Sequence, residues 1–210
     1  TWKEANVISL ATQDESSYTG SAFIFVQEGT GQNAVLVSPG AASLITIQDI
    51  IDHSPDIEQA SVFVTNFEVP IKAVEYSLNL ARRAKVTTIL NPAPAADFPA
   101  GLLSLCDYVT PNESEAEAIT GLPVRSIEDA ILVAHKLVEL GAGASVVTLG
   151  ARGVVYYKNG KTLLVPAHAP AKVIDTTGAG DAFNGGFAAA LAKGLSDEEA
   201  LVYGSATAGI

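Results

Sequence analysis

The sequence predicts an α/β protein in which a mostly parallel sheet follows a small antiparallel unit. From about residue 61 onward, short apolar runs alternate with longer amphipathic runs, which is the pattern of strands that feed crossover helices. The earlier runs are separated by polar turns such as residues 28–31 (EGTG), which is typical of antiparallel strands. With 210 residues, 48% of them hydrophobic, the chain is able to bury one large core.

The predicted strands are short apolar runs bounded by turn-forming residues. In the antiparallel unit they cover residues 7–10, 22–26 and 34–37, and in the parallel sheet residues 62–65, 87–90, 108–110 and 145–149. A hairpin of residues 154–158 and 162–165 follows, and it turns at Asn159 and Gly160.

Helices are predicted between these strands at residues 71–83, 114–120 and 127–140, with a final pair at 182–193 and from 197 onward. The helix at 127–140 has the clearest periodicity, because its apolar residues recur at helical spacing and form one face. Gly141 then supplies a left-handed stop. No repeat or low-complexity linker interrupts the pattern, so we expect a single domain over residues 1–210.

The formal net charge of −11 argues against nucleic acid as a partner, because no cluster of Lys and Arg offers a surface for a phosphate backbone. The same acidic surface would repel ATP. A nucleotide site in this chain therefore needs backbone N–H groups, a few basic side chains and metal ions to hold phosphate.

The cysteine and histidine content favours a reducing compartment and gives no sign of a metal cluster. Cys106 is the only cysteine and cannot form an internal disulfide, and the three histidines are scattered along the chain. No apolar run approaches the ~18 residues of a membrane span, and the N-terminus lacks a secretory pattern. We expect a cytoplasmic protein without membrane association. The missing Met and a helix that runs to the last residue lead us to expect a chain that is incomplete at both ends.

The most informative segment is residues 175–187 (DTTGAGDAFNGGF), which follows a predicted short strand and opens a helix. Gly178, Ala179 and Gly180 carry little or no side chain, so a phosphate group could approach backbone N–H groups at the positive end of the helix dipole. Asp181 falls in the first turn, where its carboxylate could accept a proton from an attacking hydroxyl. The alternative is a tight turn in which Asp181 only complements the helix dipole.

A second segment, residues 110–117 (TPNESEAE), joins a strand to a helix. Asn112 is a favoured N-cap, and Glu115 three residues later completes a capping-box pattern, so helix initiation alone explains both residues.

A third segment, residues 148–153 (TLGARG), ends one strand and begins the hairpin. Gly150 and Gly153 would serve a tight bend in any fold, and Arg152 would then be an exposed charge.

Residues 175–187 match the second signature of the PfkB carbohydrate kinases, so the chain resembles the ribokinase (PfkB) family. The resemblance implies a ribokinase-like three-layer α/β/α sandwich with a mostly parallel central sheet and a small β-lid. Residues 7–38 would contribute strands of that lid. It also implies an enzyme that transfers a phosphoryl group from ATP to a sugar hydroxyl.

The resemblance assigns roles within this signature. Gly178, Ala179 and Gly180 would form the anion hole, and Asp181 would be the catalytic base in contact with the substrate hydroxyl. Asp175, with the backbone near Thr177, would help bind an activating monovalent cation such as K⁺.

The same resemblance places the nucleotide and its metal. Asn112 and Glu115 would support phosphate and Mg²⁺, with Glu115 as the metal-side carboxylate. Thr148 and Gly150 would lie near the ATP phosphates and ribose, with Arg152 beside them.

Substrate recognition is assigned more coarsely. By resemblance Glu68 would accept hydrogen bonds from sugar hydroxyls, although a solvated loop carboxylate is the commoner fate of a lone Glu. Glu68 and residues 91–95 (NPAPA) favour ribose, with fructose, ketodeoxygluconate or a nucleoside as alternatives. Ala42 stands where many relatives have Asn, which removes one polar contact. Ser205 would line the adenine pocket by position, whereas close helix packing is the ordinary role of the small residues around it.

The family pattern also includes an N-terminal Gly-Gly-x-Gly-x-Asn sugar-binding segment, which has no counterpart in residues 1–210, and a lid that often mediates homodimerisation. A nucleotide-binding dehydrogenase and a P-loop enzyme fit poorly, because neither Gly-x-Gly-x-x-Gly after an early strand nor Gly-x-x-x-x-Gly-Lys-Ser/Thr occurs. A non-catalytic sugar-binding protein on the same fold remains an alternative.

Overall fold

Two separate sheets form the framework of the computed structural model, which describes residues 2–26, 33–168 and 175–209. The first sheet is an antiparallel pair, and the second has six strands in the order β3-β4-β5-β6-β7-β8. Strands β3 to β6 are parallel neighbours, whereas β6, β7 and β8 pair antiparallel. The strands are β1 (Thr19–Val26), β2 (Asn33–Gly40), β3 (Val62–Thr65), β4 (Thr87–Leu90), β5 (Tyr108–Val109), β6 (Ser145–Thr148), β7 (Val154–Lys158) and β8 (Lys161–Val165).

Seven α-helices of the described residues accompany the strands. They are α1 (Ile47–Asp52), α2 (Ser54–Glu58), α3 (Ile71–Arg83), α4 (Glu113–Thr120), α5 (Ile127–Glu139), α6 (Ala179–Ala192) and α7 (Asp197–Ala208). Side-chain caps begin several of them. The hydroxyl of Ser126 accepts a hydrogen bond from the Asp129 N–H at the start of α5, and Ser196 does the same for Glu199 at the start of α7. These caps satisfy N–H groups that have no partner inside the helix.

The elements predicted from residue 61 onward are confirmed, with small differences at their ends. The strands at 62–65 and 87–90 and the helix at 71–83 have the predicted bounds. Helix α6 begins three residues earlier than predicted, at Ala179. The predicted short strand before Asp175 and the predicted turn at 28–31 lie outside the described residues.

The expectation for the first third of the chain is wrong in two respects. Residues 7–10 form no strand, so the lid strands run only over 19–26 and 33–40. Val7 and Ile8 are apolar but 52% and 84% exposed, and an apolar run becomes a strand only when a partner takes up its backbone groups. Helices α1 and α2 were not predicted, because each is shorter than two turns and buries no residue fully.

Helices cover both faces of the six-stranded sheet, which confirms the three-layer α/β/α sandwich. Consecutive residues of β4, β5, β6 and β7 belong to different cores, as Ile89 and Leu90 show. The core on the Leu90 side includes Leu78 of α3 and Val133 of α5. The core on the Ile89 side includes Phe187 of α6 and residues of α7. Because strand side chains alternate between faces, each strand contributes to both layers.

The two helices on the second face pack closely because small residues lie between them. A Cβ added to Gly204 of α7 would lie 3.0 Å from the ring of Phe183, and one added to Gly186 of α6 would collide with Thr207. The close-packing role of these small residues is therefore confirmed for Gly204. In the part of the chain that the structure describes, no helix has the length and apolar character needed to cross a membrane.

The antiparallel pair β1 and β2 exposes apolar side chains. Phe23 pairs with Leu36 across the two strands, and the two residues are 64% and 65% exposed. Phe25, further along β1, is 66% exposed. An exposed apolar patch of this kind is uncommon on a monomeric surface.

A polar cluster joins α7 to the sheet. The Asp197 carboxylate accepts hydrogen bonds from the hydroxyls of Tyr108 (2.5 Å) and Tyr156 and from the Lys158 ammonium (3.0 Å). Burial opposes ionisation of Asp197, but these three donors hold its pKa below the ordinary value. Burial and the adjacent carboxylate raise the pKa of both tyrosines, so they remain protonated donors. The carboxylate therefore fixes the first turn of α7 against β5 and β7.

We expect Tyr156→Phe to lower the free energy of unfolding at pH 7 by about 1–2 kcal/mol, because it removes a hydrogen bond to a charged group. Tyr157→Phe on the same strand is the control, since its hydroxyl takes no part in the Asp197 cluster. The measurement is urea unfolding of the two variants and the wild type. Equal stability of the two variants would contradict the role of the cluster.

The pH dependence of this stabilisation has a definite sign. The pKa of Asp197 is lower in the folded chain than in the unfolded chain, where it is about 3.9. Ionised Asp197 therefore stabilises the fold fully at pH values above about 3.9. That stabilisation is lost as the pH falls through the folded pKa. The difference in unfolding free energy between wild type and Asp197→Asn should therefore shrink below about pH 4.

Candidate active site

The predicted site segments meet at the carboxyl-terminal edge of the parallel strands. The Asn91 N–H that follows β4 donates to the Thr65 carbonyl that ends β3, at 2.9 Å. The Phe67 N–H in the next loop donates to the Ala93 carbonyl at 2.8 Å. The Thr110 N–H that follows β5 donates to the Leu90 carbonyl at 2.9 Å. These bonds hold the loops side by side at the edge where open α/β sheets bind their ligands.

Helix α6 begins at Ala179, inside the family signature at residues 175–187, and its N-terminus is open. Gly178 is its N-cap and has φ +77°, a left-handed conformation that favours glycine. A Cβ on Gly178 or Gly180 would meet no atom within 4 Å, so the space beside both residues is open. The Ala179 N–H already donates to the Thr176 carbonyl at 3.1 Å. An anion at this terminus would therefore use the N–H groups of residues after Ala179.

Asp181 lies in the first turn of α6 and is exposed. One turn further along, the Asn184 amide donates to the Gly180 carbonyl at 3.0 Å. The Thr110 hydroxyl donates to the other side of this amide, Asn184 Oδ1, at 2.7 Å. Thr110 and Asn184 are both buried, so the start of α6 is fixed to the end of β5 by a water-excluded pair of hydrogen bonds.

The sequence did not identify Thr110 and Asn184 as positioning residues. Both lie inside segments that were singled out, but their contact spans 74 residues. One sequence feature could have identified Asn184: it is a polar residue in a helix between the apolar residues Phe183 and Phe187. A buried amide at such a place needs a partner.

Asn112 and Glu115 form the predicted capping box at the start of α4. Asn112 Oδ1 accepts a hydrogen bond from the Glu115 N–H at 2.9 Å. In return, one carboxylate oxygen of Glu115 accepts from the Asn112 backbone N–H and the other from the Asn112 side-chain amide, each at 2.9 Å. Glu115 is 7% exposed. Burial raises its pKa, and the hydrogen bonds from Asn112 only partly oppose that rise. The carboxylate oxygens retain further lone pairs for water or a metal ligand.

Residues 148–153 lie next to this capping box. The Thr148 N–H donates to the Pro111 carbonyl at 2.9 Å, and a parallel bridge joins Thr148 to Asn112. Gly150 has φ +53° and open space beside it, whereas a Cβ on Gly153 would collide with the Val165 carbonyl. The predicted need for Gly153 in the turn is therefore confirmed.

Arg152 is held by two neighbouring loops. Its guanidinium donates to the Arg125 carbonyl at 3.0 Å and to the Glu113 carboxylate at 3.2 Å. Glu113 is the first residue of α4, next to Asn112. Arg152 therefore joins the turn after β6 to the start of α4.

The remaining predicted residues lie around these segments. The Glu68 N–H donates to Asn66 Oδ1 at 3.1 Å, and the Glu68 side chain is exposed. The Asp175 carboxylate accepts from the Thr177 N–H at 2.8 Å, and this bond lowers the pKa of Asp175. Ser205 of α7 is 7% exposed, and its hydroxyl has no hydrogen-bond partner within the described ranges.

The residues fit a nucleotide with a partly hydrated metal better than a protein-enclosed metal. Among residues 2–26, 33–168 and 175–209, no three His, Cys, Asp or Glu side chains gather into a metal site. Mg²⁺ in phosphoryl-transfer sites commonly keeps several waters and binds one or two carboxylates plus substrate phosphates. Glu115 and Asp181 are available carboxylates of that kind, and the open N-terminus of α6 suits a phosphate.

Comparison with known proteins gives consistent results. The family model for pfkB family carbohydrate kinases matches residues 1–210. The chain is 37% identical over 192 residues to a ribokinase of Haemophilus influenzae, covering 91% of this chain and 62% of the relative. It is 38% identical over 195 residues to a ribokinase of Mus musculus, covering 90% of this chain and 59% of the relative. The chain thus spans about 60% of the length of these relatives.

A solved structure of Arabidopsis thaliana ribokinase complexed with ribose and ATP superimposes with a TM-score of 0.81 at 28% identity. The superposition covers 92% of this chain and 62% of the Arabidopsis chain. The ribokinase-like fold expected from the signature is therefore confirmed. The chain belongs to the pfkB family of carbohydrate kinases.

Proposed function

We propose that the protein phosphorylates the primary hydroxyl of a sugar with ATP, and that the sugar is D-ribose, giving D-ribose 5-phosphate. The observation that carries this proposal is the exposed Asp181 in the first turn of α6, beside an open helix N-terminus that is fixed to the sheet through Thr110 and Asn184. The similarity to ribokinases, one of them solved with ribose and ATP, supports the choice of reaction and substrate.

In the proposed reaction the Asp181 carboxylate accepts the proton of the sugar hydroxyl, and the hydroxyl oxygen attacks the γ-phosphorus of ATP. The bond from the γ-phosphorus to the bridging oxygen breaks, and ADP leaves with the electron pair. N–H groups in the first turn of α6, from Gly180 onward, stabilise the charge on the transferred group, and the open space beside Gly178 and Gly180 admits it. Mg²⁺, when bound, supplies further neutralisation of the phosphate oxygens.

The nucleotide is proposed to lie across the loops that follow β5 and β6. Asn112, Thr148 and Gly150 would contact its phosphates and ribose, and Ser205 would line the adenine site with its unpaired hydroxyl. Arg152 would hold the loops in register through Glu113, in addition to any contact with the nucleotide.

The cation and sugar assignments rest on family resemblance. Glu115 would order the water around Mg²⁺, and Asp175 with the backbone of Thr177 would contribute to a K⁺ site. Glu68 would accept hydrogen bonds from the sugar. Alternative substrates are fructose, 2-keto-3-deoxygluconate or a nucleoside, because the pocket that selects the acceptor is separate from the phosphate apparatus.

We also propose that residues 1–210 act as one kinase domain in a cytoplasmic homodimer that binds neither nucleic acid nor membrane. The exposed Phe23 and Leu36 of the lid support the dimer, because a second copy would cover them. A non-catalytic sugar-binding protein on this fold is the alternative, and Asp181 in the first turn of α6 argues against it.

Asp181→Asn tests the reaction directly. We expect kcat to fall by about 10²–10⁴-fold, because the base is lost, while the Kd for ATP changes little. The protein is expressed from its complete coding sequence, ADP release is measured with ribose and Mg²⁺, and ATP binding is measured by calorimetry. Asp52→Asn, an exposed carboxylate on α1, is the charge-matched control. Full turnover in Asp181→Asn would exclude it as the base.

The sugar is tested with a panel of ribose, fructose, 2-keto-3-deoxygluconate and adenosine. We expect ribose to give the highest kcat/KM, and Glu68→Gln to raise the KM for ribose about 10-fold with little change in the KM for ATP, through a weaker hydrogen bond to the sugar. Glu58→Gln, at the exposed end of α2, is the control. A higher kcat/KM with another acceptor would support the proposed phosphoryl transfer but show that ribose is not the substrate.

The raised pKa of Glu115 predicts the acid limb of the pH profile. If its ionised form assists Mg²⁺, kcat/KM should fall as the pH drops through a value above the ordinary Glu pKa of about 4.3. Glu115→Gln should remove that limb and raise the Mg²⁺ concentration for half-maximal rate. The control is Glu117→Gln, whose amide oxygen can still accept the hydrogen bond from Val124. An unchanged limb in Glu115→Gln would contradict the assignment.

A further inference from the structure

A ligand-sized cavity lies at the edge of the sheet opposite the candidate active site. Its volume is about 510 Å³, within the range of about 300–1,000 Å³ that small-molecule sites occupy. Residues at the amino-terminal ends of β4 and β5 line it, with side chains from the end of α3 and the end of β7. The phosphate-transfer apparatus described above does not use this cavity.

Basic side chains from three different segments converge on the cavity. Arg82 comes from the last turn of α3, Lys85 from the turn that follows, and Lys158 from the end of β7. They are three of the twelve Lys and Arg residues in a chain with a net charge of −11. Arg82 alone would be explained by the negative C-terminal end of α3. The dipole of α3 does not explain Lys158, which is the last residue of β7.

Two carboxylates lie beside these cations, Asp107 in the cavity lining and Asp197 next to Lys158, and both are already engaged by other donors. Asp107 Oδ2 accepts from the Thr88 N–H at 2.9 Å and from the Thr88 hydroxyl at 3.1 Å. Asp107 Oδ1 lies 4.0 Å from the Arg82 guanidinium, a loose ion pair. Asp197 accepts from two tyrosine hydroxyls as well as from Lys158. The three cations and two carboxylates leave one net positive charge, and the cations keep unused N–H donors.

Arg82 and Lys85 are exposed at the cavity, whereas Lys158 is held in place by Asp197 and by the Tyr108 hydroxyl. The side chain of Arg82 is 52% exposed and that of Lys158 is 33% exposed. Lys85 is exposed and sits at φ +62°, which fixes the direction in which its side chain leaves the turn. The Lys158 ammonium also lies 4.9 Å from the ring centre of Tyr108, and this contact helps to fix its position at the cavity.

We propose that this cavity binds a small phosphate-type oxyanion, either inorganic phosphate or the phosphate group of a small monoester, through Arg82, Lys85 and Lys158. A guanidinium and two ammonium groups from three chain segments supply charge-assisted donors, which are the groups that bind phosphate oxygens strongly. The volume leaves room for the organic part of a monoester. The site lies apart from the proposed reaction and does not depend on it.

The test compares two double variants with the same charge change. Arg82→Gln with Lys158→Gln removes two proposed donors. Arg83→Gln with Lys161→Gln instead changes the residue after Arg82 on α3 and the residue on β8 that pairs with Lys158 across the hairpin. Inorganic phosphate and glycerol phosphate are titrated against each protein by calorimetry and by thermal unfolding, in a chloride buffer of constant ionic strength.

We expect both probes to bind the wild type and the control pair with similar Kd and to raise their Tm. The Arg82→Gln/Lys158→Gln variant should bind both probes at least about tenfold more weakly than the wild type, because two charge-assisted donors are lost. Tighter binding of glycerol phosphate than of inorganic phosphate identifies a monoester site, and the reverse identifies a site for the free ion. Equal weakening in both double variants, or none in either, would overturn the proposal.

A single substitution guards against a folding defect, since Lys158 also contacts Asp197. Lys85→Gln changes an exposed side chain outside that cluster and should leave Tm in the absence of ligand unchanged. It should still weaken phosphate binding several-fold. Wild-type affinity in Lys85→Gln together with wild-type affinity in Arg82→Gln would exclude this cavity as the binding site.

Discussion

Burial of the central strands on both faces is the constraint on which the rest of the molecule depends. Ile89 and Leu90 are both fully buried, and they belong to the cores on opposite sides of the sheet. A strand that is apolar on both faces can be stable only with helices on each side, and parallel neighbours require a crossover between them. The crossovers bring every loop after a parallel strand to the same edge. The candidate site is a consequence of that arrangement.

The bond between Thr110 and Asn184 turns this general arrangement into a particular site. The parallel strands would bring the loops together in any such sheet, but α6 belongs to a different part of the chain and packs on the opposite face from α3. A 2.7 Å hydrogen bond between two buried side chains fixes the height of α6 relative to β5. Because Gly180 and Asp181 lie within one turn of Asn184, the same bond sets the position of the proposed base.

The sequence was informative where structure is decided locally. The helix at 127–139 begins at a Ser126 cap and has one apolar face, so its bounds could be predicted within a residue. The strand expected at residues 7–10 was wrong because its formation depends on a partner that periodicity does not reveal. The candidate site residues within 175–187 were chosen from their order in the chain, and their catalytic roles stay predictions. The roles of Asn184 and of the Arg152–Glu113 pair depend on contacts 74 and 39 residues apart, which no local pattern specifies.

The two proposed sites at opposite edges of the sheet would each bind an anion in an acidic chain, but with different donors. At the carboxyl edge the donors are backbone N–H groups at the start of α6, which bring partial charges and no ionised cation. A full cation beside a carboxylate would stabilise its ionised form and weaken it as a base, so backbone donors suit the proposed role of Asp181 as proton acceptor. At the amino edge no such base is needed, and side-chain cations held by Asp107 and Asp197 can serve instead.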